Sequence, residues 1–139
     1  MIDITDEMRD LIDNALANGT PCILATASPT GEPSVGLRGS MMVFDSNSLA
    51  YWERTKRAGL EHIQANPKVV VMYRDPAARK AWKLYGEAQL YPDGPIRDQV
   101  IARVVQTELD RDADRQGIAV IIRLDRIMTM AGEVLQQRD

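Results

Sequence analysis

The sequence predicts a mainly β fold: a closed or split antiparallel β-barrel with peripheral, flanking helices. Three observations predict it. Short runs rich in Val, Ile, Leu and aromatic residues alternate in polarity, most clearly at 80–91. Clusters of Gly, Pro, Asn, Asp and Ser separate those runs and mark turns. Helical periodicity appears only at 6–18, within 56–65 and from Pro95 onward, which leaves few strand–helix–strand crossovers and favours antiparallel pairing.

In order along the chain, 6–18 reads as an amphipathic helix. Met8, Leu11, Ile12, Ala15 and Leu16 form its apolar stripe, Thr5 is its N-cap, and Asn18-Gly19 is its stop. A strand at 22–28 follows, then the turn Pro29-Thr30-Gly31-Glu32-Pro33. The stretch 34–44 reads as one extended strand with Gly36 and Gly39 inside it. Glycine there implies either a close approach by a flat ligand or a bulge that bends the strand. Asp45-Ser46-Asn47-Ser48 turns the chain into a strand at 49–53.

A short helix within 56–65 ends at Asn66-Pro67, because the residue before Pro avoids the helical region. Strands follow at 68–74 and 80–91. In the second, Trp82, Leu84, Gly86, Ala88 and Leu90 share one face, opposite Lys83, Tyr85, Glu87 and Gln89. Pro95 opens another amphipathic helix whose stripe is Ile96, Val100, Ile101, Val104, Val105 and Leu109. A strand at 118–124, a bend at Asp125-Arg126 and a final strand at 127–135 containing Gly132 complete the chain.

The 139 residues make one domain, 1–139. So small a protomer has little room for a deep private site, and a large cofactor would sit more easily where two protomers meet. The net charge of -3 and the few, unarrayed aromatics argue against nucleic-acid binding. A single cysteine and a single histidine exclude a disulfide framework and a multi-His metal site within the chain. Cys22 reads as a core residue and His62 as an ordinary helix residue. The N-terminus lacks a signal-peptide pattern and no apolar run approaches a bilayer span, so the expectation is a soluble, cytoplasmic protein without a membrane partner.

Glycine-rich nucleotide loops, a nucleophile elbow and an HExxH helix are absent. Acids and bases are scattered, so no catalytic residue is identified, and a cofactor would have to carry any chemistry. One segment stands out. Tyr51-Trp52-Glu53 runs into Arg54-Thr55-Lys56-Arg57 at a strand-to-helix junction. Three cations, a hydroxyl and the free N–H groups of a first helical turn suit a phosphate. A solvated charged face is the competing explanation.

The order and spacing of three motifs resemble the FMN-binding split-barrel superfamily, in particular small proteins related to pyridoxamine 5'-phosphate oxidase. These are Cys22-Ile23-Leu24-Ala25-Thr26-Ala27 with Thr30-Gly31-Glu32-Pro33; Ser34-Val35-Gly36-Leu37-Arg38-Gly39-Ser40; and Trp52 to Arg57 with Leu60 and Asn66-Pro67-Lys68-Val69. The resemblance implies a six-stranded barrel, a homodimer with cofactor at its interface, and an FMN-dependent oxidoreductase acting on a small molecule. It implies phosphate contacts from among Arg54, Thr55, Lys56 and Arg57, and ring contacts from Arg38, Gly39 and Ser40, with Arg38 the cation favouring reduced flavin. Trp52 is assigned chiefly to the core or interface. Trp82 and Lys83 reach either the partner's flavin or the dimer contact. The family's C-terminal Arg and His that grip the vitamin phosphate have no counterpart here, which predicts that pyridoxal phosphate is not the product. The alternatives are an F420 (deazaflavin)-dependent reductase of the same fold and a non-enzymatic module that stores or senses FMN.

Overall fold

The computed structural model describes residues 1–55 and 58–139. Lys56 and Arg57, two of the expected phosphate contacts, lie outside the described residues. The elements are α1 (Asp6–Asp13), β1 (Cys22–Ala27), β2 (Pro33–Arg38), β3 (Met42–Asp45), β4 (Ser48–Glu53), α2 (Ala58–Ala65), β5 (Lys68–Asp75), β6 (Lys80–Tyr91), α3 (Gly94–Ile101), α4 (Gln106–Leu109), β7 (Ile118–Met128) and β8 (Val134–Gln137).

The strands form one antiparallel sheet in the order β2-β1-β5-β6-β7-β4-β3, with β8 added to β7 where β4 stops. The two ends of that path, β2 and β3, are consecutive in sequence and only residues 39–41 separate them. In a flat sheet their six intervening spacings would hold them about 29 Å apart. The link from Arg38 to Met42 reaches at most about 14 Å. The sheet therefore curls until its edges face each other, which is the predicted split barrel, and the seam lies between β2 and β3.

The barrel interior collects Leu24, Leu49, Tyr51, Val71, Tyr73, Trp82, Leu84, Ile122 and Leu124, with Met8 and Ile12 of α1 packed against them. Thr5 caps α1 by accepting from the Met8 N–H at 3.2 Å. Cys22 is fully buried, and its thiol is pushed up to about 12 by burial, with Asp13 adding to the effect. It is the inert core residue expected. β4 is buried on both faces. Leu49 and Tyr51 point into the barrel, while Ala50 and Trp52 meet Val100, Val104 and Leu109 in a second cluster outside it.

Four elements differ from the sequence reading. The first helix stops at Asp13 rather than near 18, because the Asn14 side chain takes the Asp10 carbonyl at 2.7 Å and Gly19 (φ 75°) turns the chain. The stretch 34–44 divides into β2 and β3, since Gly39 and Ser40 form a turn between the two sheet edges. The helix from Pro95 breaks after Ile101, and its charged continuation survives only as α4. The expected bend at Asp125-Arg126 is a bulge within a continuous β7, and Gly132 (φ 98°) sits in the turn to β8 rather than in a strand. The division of 34–44 and the added β8 make eight strands rather than the six the resemblance implies.

At the bulge β6 passes from Tyr85 to Gly86 while β7 passes from Arg126 to Leu124. A Cβ on Gly86 would collide with the Arg123 carbonyl oxygen, a backbone atom held by the ladder. Gly86→Ala is expected to destabilise the protein by at least about 2 kcal/mol, read as a lower urea midpoint with unchanged m-value. Wild-type stability in this variant would show that β7 does not press on β6 there.

Candidate functional site

The seam places the ends of β2 and β4 beside each other. Along β2 the exposure alternates: Val35 and Leu37 are 72% and 64% exposed, while Ser34, Gly36 and Arg38 face the other way and are half-buried. The Arg38 guanidinium lies over the Tyr51 ring, 5.7 Å from its centroid. Its Nη2 is 3.3 Å from Glu53 Oε2, and its Nη1 donates to the Leu37 carbonyl at 3.0 Å. A Cβ on Gly36 or on Gly59 of α2 would stand 2.9 Å from one or other of its terminal nitrogens. These glycines make room for the arginine. The register between β1 and β2 is unbroken, so Gly36 marks a close approach and not a bulge.

Glu53 is 3% exposed. A carboxylate so deeply buried is costly unless it is paired and hydrogen-bonded. Arg38 supplies the charge, and the Thr55 hydroxyl donates to Oε1 at 3.2 Å. The charge contact lacks hydrogen-bond alignment: Glu53 Oε2 and Arg38 Nε are both buried without a hydrogen-bond partner among the described residues, as is the Tyr51 hydroxyl. Burial and then Glu53 push the Tyr51 phenol well up, against a smaller downward pull from Arg38, so it stays neutral.

Two cavities flank Arg38 and Thr55. The first, of about 200 Å³, is walled by Leu16, Pro21, Leu37 and Trp52 and carries Arg54, Glu108 and Arg111. The second, of about 320 Å³, presents Thr26, Ser34 and Thr55 together with Ala58 and Gly59 at the start of α2. One offers apolar wall with charge, the other hydroxyls beside a helix start.

Of the expected site residues, Arg38, Gly39, Ser40, Trp52, Arg54 and Thr55 all line the first cavity. Ser40 is a structural clasp: its hydroxyl donates to the Trp52 carbonyl (3.2 Å) and accepts from the Trp52 N–H (2.9 Å). Gly39 sits against Glu108 and Leu16, where a Cβ would collide with the Glu108 carboxylate. Arg54 Nε donates to Glu108 Oε2 at 3.3 Å. Trp52, 2% exposed, lies beneath the Arg97 guanidinium and against Gly117, as a core residue whose edge reaches the cavity. Trp82 and Lys83 line neither cavity: Trp82 stacks on Tyr73 inside the barrel, ring centroids 5.8 Å apart, and Lys83 lies on the opposite face of β6.

Sequence reasoning passed over Glu53, Glu108, Gly59 and Arg111. Glu53 carried a signal: it shares the inward parity of Leu49 and Tyr51 on a strand buried throughout. Glu108 carried none, because a charged segment reads as surface. His62, expected as an ordinary helix residue, has its Nδ1 3.0 Å from the Thr26 hydroxyl and ties α2 to β1.

A family model described as pyridoxamine 5'-phosphate oxidase matches residues 4–126, and the chain belongs to that family. A protein of Lactobacillus delbrueckii provisionally assigned as a pyridoxamine 5'-phosphate oxidase is 26% identical over 93% of this chain and 96% of its own, with a TM-score of 0.72. An FMN-binding protein from Syntrophomonas wolfei has a TM-score of 0.68 at 12% identity, over 96% of this chain and 89% of that one. An F420 reductase has a TM-score of 0.62 at 21% identity, over 86% and 94%. At these last two identities the likeness is one of fold alone. No curated protein matches the sequence. No helix among the described residues is long and apolar enough to cross a membrane.

Asp112 fixes the far edge of the Trp52 ring. Its carboxylate accepts from the Trp52 indole N–H and the Gly117 N–H, both at 2.8 Å, and from the Gln116 N–H at 2.9 Å. Burial pushes its pKa up, but the Gln116, Trp52 and Gly117 donors and the Arg115 charge outweigh that and lower it. Its contribution to stability is therefore complete above the unfolded carboxylate value of about 3.9 and lost as pH falls through the lower folded value. Asp112→Asn, which points an amide N–H₂ at N–H donors, is expected to cost about 1–2 kcal/mol at pH 7. The gap to wild type should close below about pH 4. A gap independent of pH would show that the charge is not what holds Trp52.

Proposed function

We propose that this chain is an FMN-binding flavoprotein that works as a homodimer, with the cofactor in the cleft at the β2–β3 seam, and acts as an oxidoreductase on a small molecule other than the vitamin phosphate. One observation carries the reading. Arg38 and Thr55 each line both cavities, so an apolar-walled cavity and a hydroxyl-lined one at a helix start meet at the same two side chains.

That donor set suits a flavin phosphate. Thr26, Ser34 and Thr55 offer hydroxyls beside the first residues of α2, and the run Arg54-Thr55-Lys56-Arg57 passes the same place in sequence. Leu16, Pro21, Leu37 and Trp52 offer the surface a flat ring needs. Each cavity alone lies at or below the lower end of the usual 300–1,000 Å³ for a ligand of this size. Val35 and Leu37 stand exposed on the sheet edge beside the cleft. A second protomer covering that edge would deepen the cleft and bury those side chains. Bound FMN would supply the electron transfer, and the residues of this chain would bind it, orient it and shield it from water.

The family and the FMN-binding neighbour of the same fold support a flavin. The F420 reductase neighbour supports deazaflavin as the second reading, because its phosphate would use the same donors. Titrating the purified protein with FMN, riboflavin and F420 side by side separates the readings. FMN is expected to bind tightest and to leave a flavin absorption spectrum on the protein after desalting. Lys56→Ala is expected to weaken FMN by about 1.5–3 kcal/mol, the scale of a charged hydrogen bond, and to leave riboflavin unaffected. Preference for F420 would favour the second reading, and a protein that retains none of the three would contradict both.

A further inference from the structure

Glu53 lines neither cavity, yet it is paired with two residues that line both, and nothing in the proposed function uses it. It is an acid in a place where an anionic ligand is expected, and it is almost fully buried. Among the described residues its polar contacts go to residues that line both cavities: Arg38 at 3.3 Å and Thr55 at 3.2 Å. Arg38 in turn is hemmed in on its inner side. Gly36, Gly59 and the Tyr51 ring enclose its guanidinium, and Leu37 takes one of its donors.

We propose that Glu53 is the charge-setting and positioning residue of this cleft: it holds Arg38 and Thr55 in place and is the resident counter-anion of Arg38. The inference rests on the proposed flavin reading. A guanidinium already facing a buried carboxylate has its charge offset, and a phosphate arriving there would also meet the Glu53 charge. Arg38 still has N–H groups to spare, since a guanidinium carries five and the contact with Glu53 is not an aligned fork. Arg38 therefore donates to an uncharged polar edge of the ligand. The phosphate is left to Thr55, the neighbouring hydroxyls and the cations that follow in sequence.

The test uses Glu53→Gln, which keeps an acceptor for the Thr55 hydroxyl and removes the charge. Arg38 then needs an anion. Inorganic phosphate is expected to raise the Tm of this variant in a saturable way, and by clearly more than it raises that of wild type. The ratio of FMN to riboflavin affinity is expected to rise by about tenfold or more, the scale of a hydrogen bond gained between charged groups. A phosphate response and an affinity ratio equal to wild type would overturn the proposal.

Breaking a buried pair from one side can prevent folding, so the double variant Arg38→Gln/Glu53→Gln, which removes both charges, runs beside it. Its FMN-to-riboflavin ratio and its phosphate response are expected to match wild type, because Arg38 does not recognise phosphate there. A fall in either would show that Arg38 is a phosphate ligand and would overturn the proposal. If wild type binds neither flavin, the flavin reading fails by itself, and the Tm response to inorganic phosphate still decides the role of Glu53.

Discussion

The three-residue step from β2 to β3 is the constraint from which the rest follows. It joins the two outer strands of one sheet, so the sheet closes on itself and the step lies on the seam. Gly39 and Ser40, which make it, are the residues that pack on Glu108 and clasp Trp52. The end of β2 delivers Arg38 to the seam, and the end of β4 delivers Glu53, Arg54 and Thr55. A chain that must turn there concentrates its unpaired backbone, its glycines and its charges in one place. Binding sites commonly form on such irregular segments held by a rigid scaffold.

Two pairs of opposite charge are described at the seam. Arg38 faces Glu53 and Arg54 faces Glu108, with both acids largely buried. A buried pair is weak evidence for stability, since desolvation offsets much of the attraction. Its better-attested use is to fix a geometry, and here both arginines line the same cavity. Behind them Trp52 is held by Ser40 on its backbone, by Asp112 on its indole N–H and by Arg97 over its ring. The apolar wall of the cleft is thus set by contacts that no ligand has to make. In the proposed function the hydroxyl-lined cavity takes the cofactor's phosphate and the exposed edge of β2 takes the second protomer.

Much of this was legible in the sequence, for local reasons. Period-two alternation over 80–91 fixes the inner face of β6, and Pro67 and Thr5 mark helix ends through steric and capping effects that act within a few residues. The family resemblance, and no local pattern, implied that residues 38–40 and 52–55 serve one site; in the structure Arg38, Gly39, Ser40, Trp52, Arg54 and Thr55 line one cavity. The misreadings have non-local causes. Nothing within 34–44 reveals that its halves belong to opposite edges of the sheet; that is a property of closure. Asp125-Arg126 reads as a bend because a bulge depends on Gly86 across the ladder. Glu108 reads as surface because its burial is decided by Gly39 and Arg54, both more than fifty residues away. Trp82, on the apolar face of β6 that the alternation gives, stacks on Tyr73.

The central claim is that the seam is half of a cofactor site and that a second copy of the chain completes it. Native mass spectrometry of the protein with a small excess of FMN tests this most directly, since it reads assembly and occupancy together. The account predicts a dimer carrying two FMN molecules, with FMN lost when the dimer is dissociated. A monomer that retains FMN, or a stable dimer that takes up none, would contradict it.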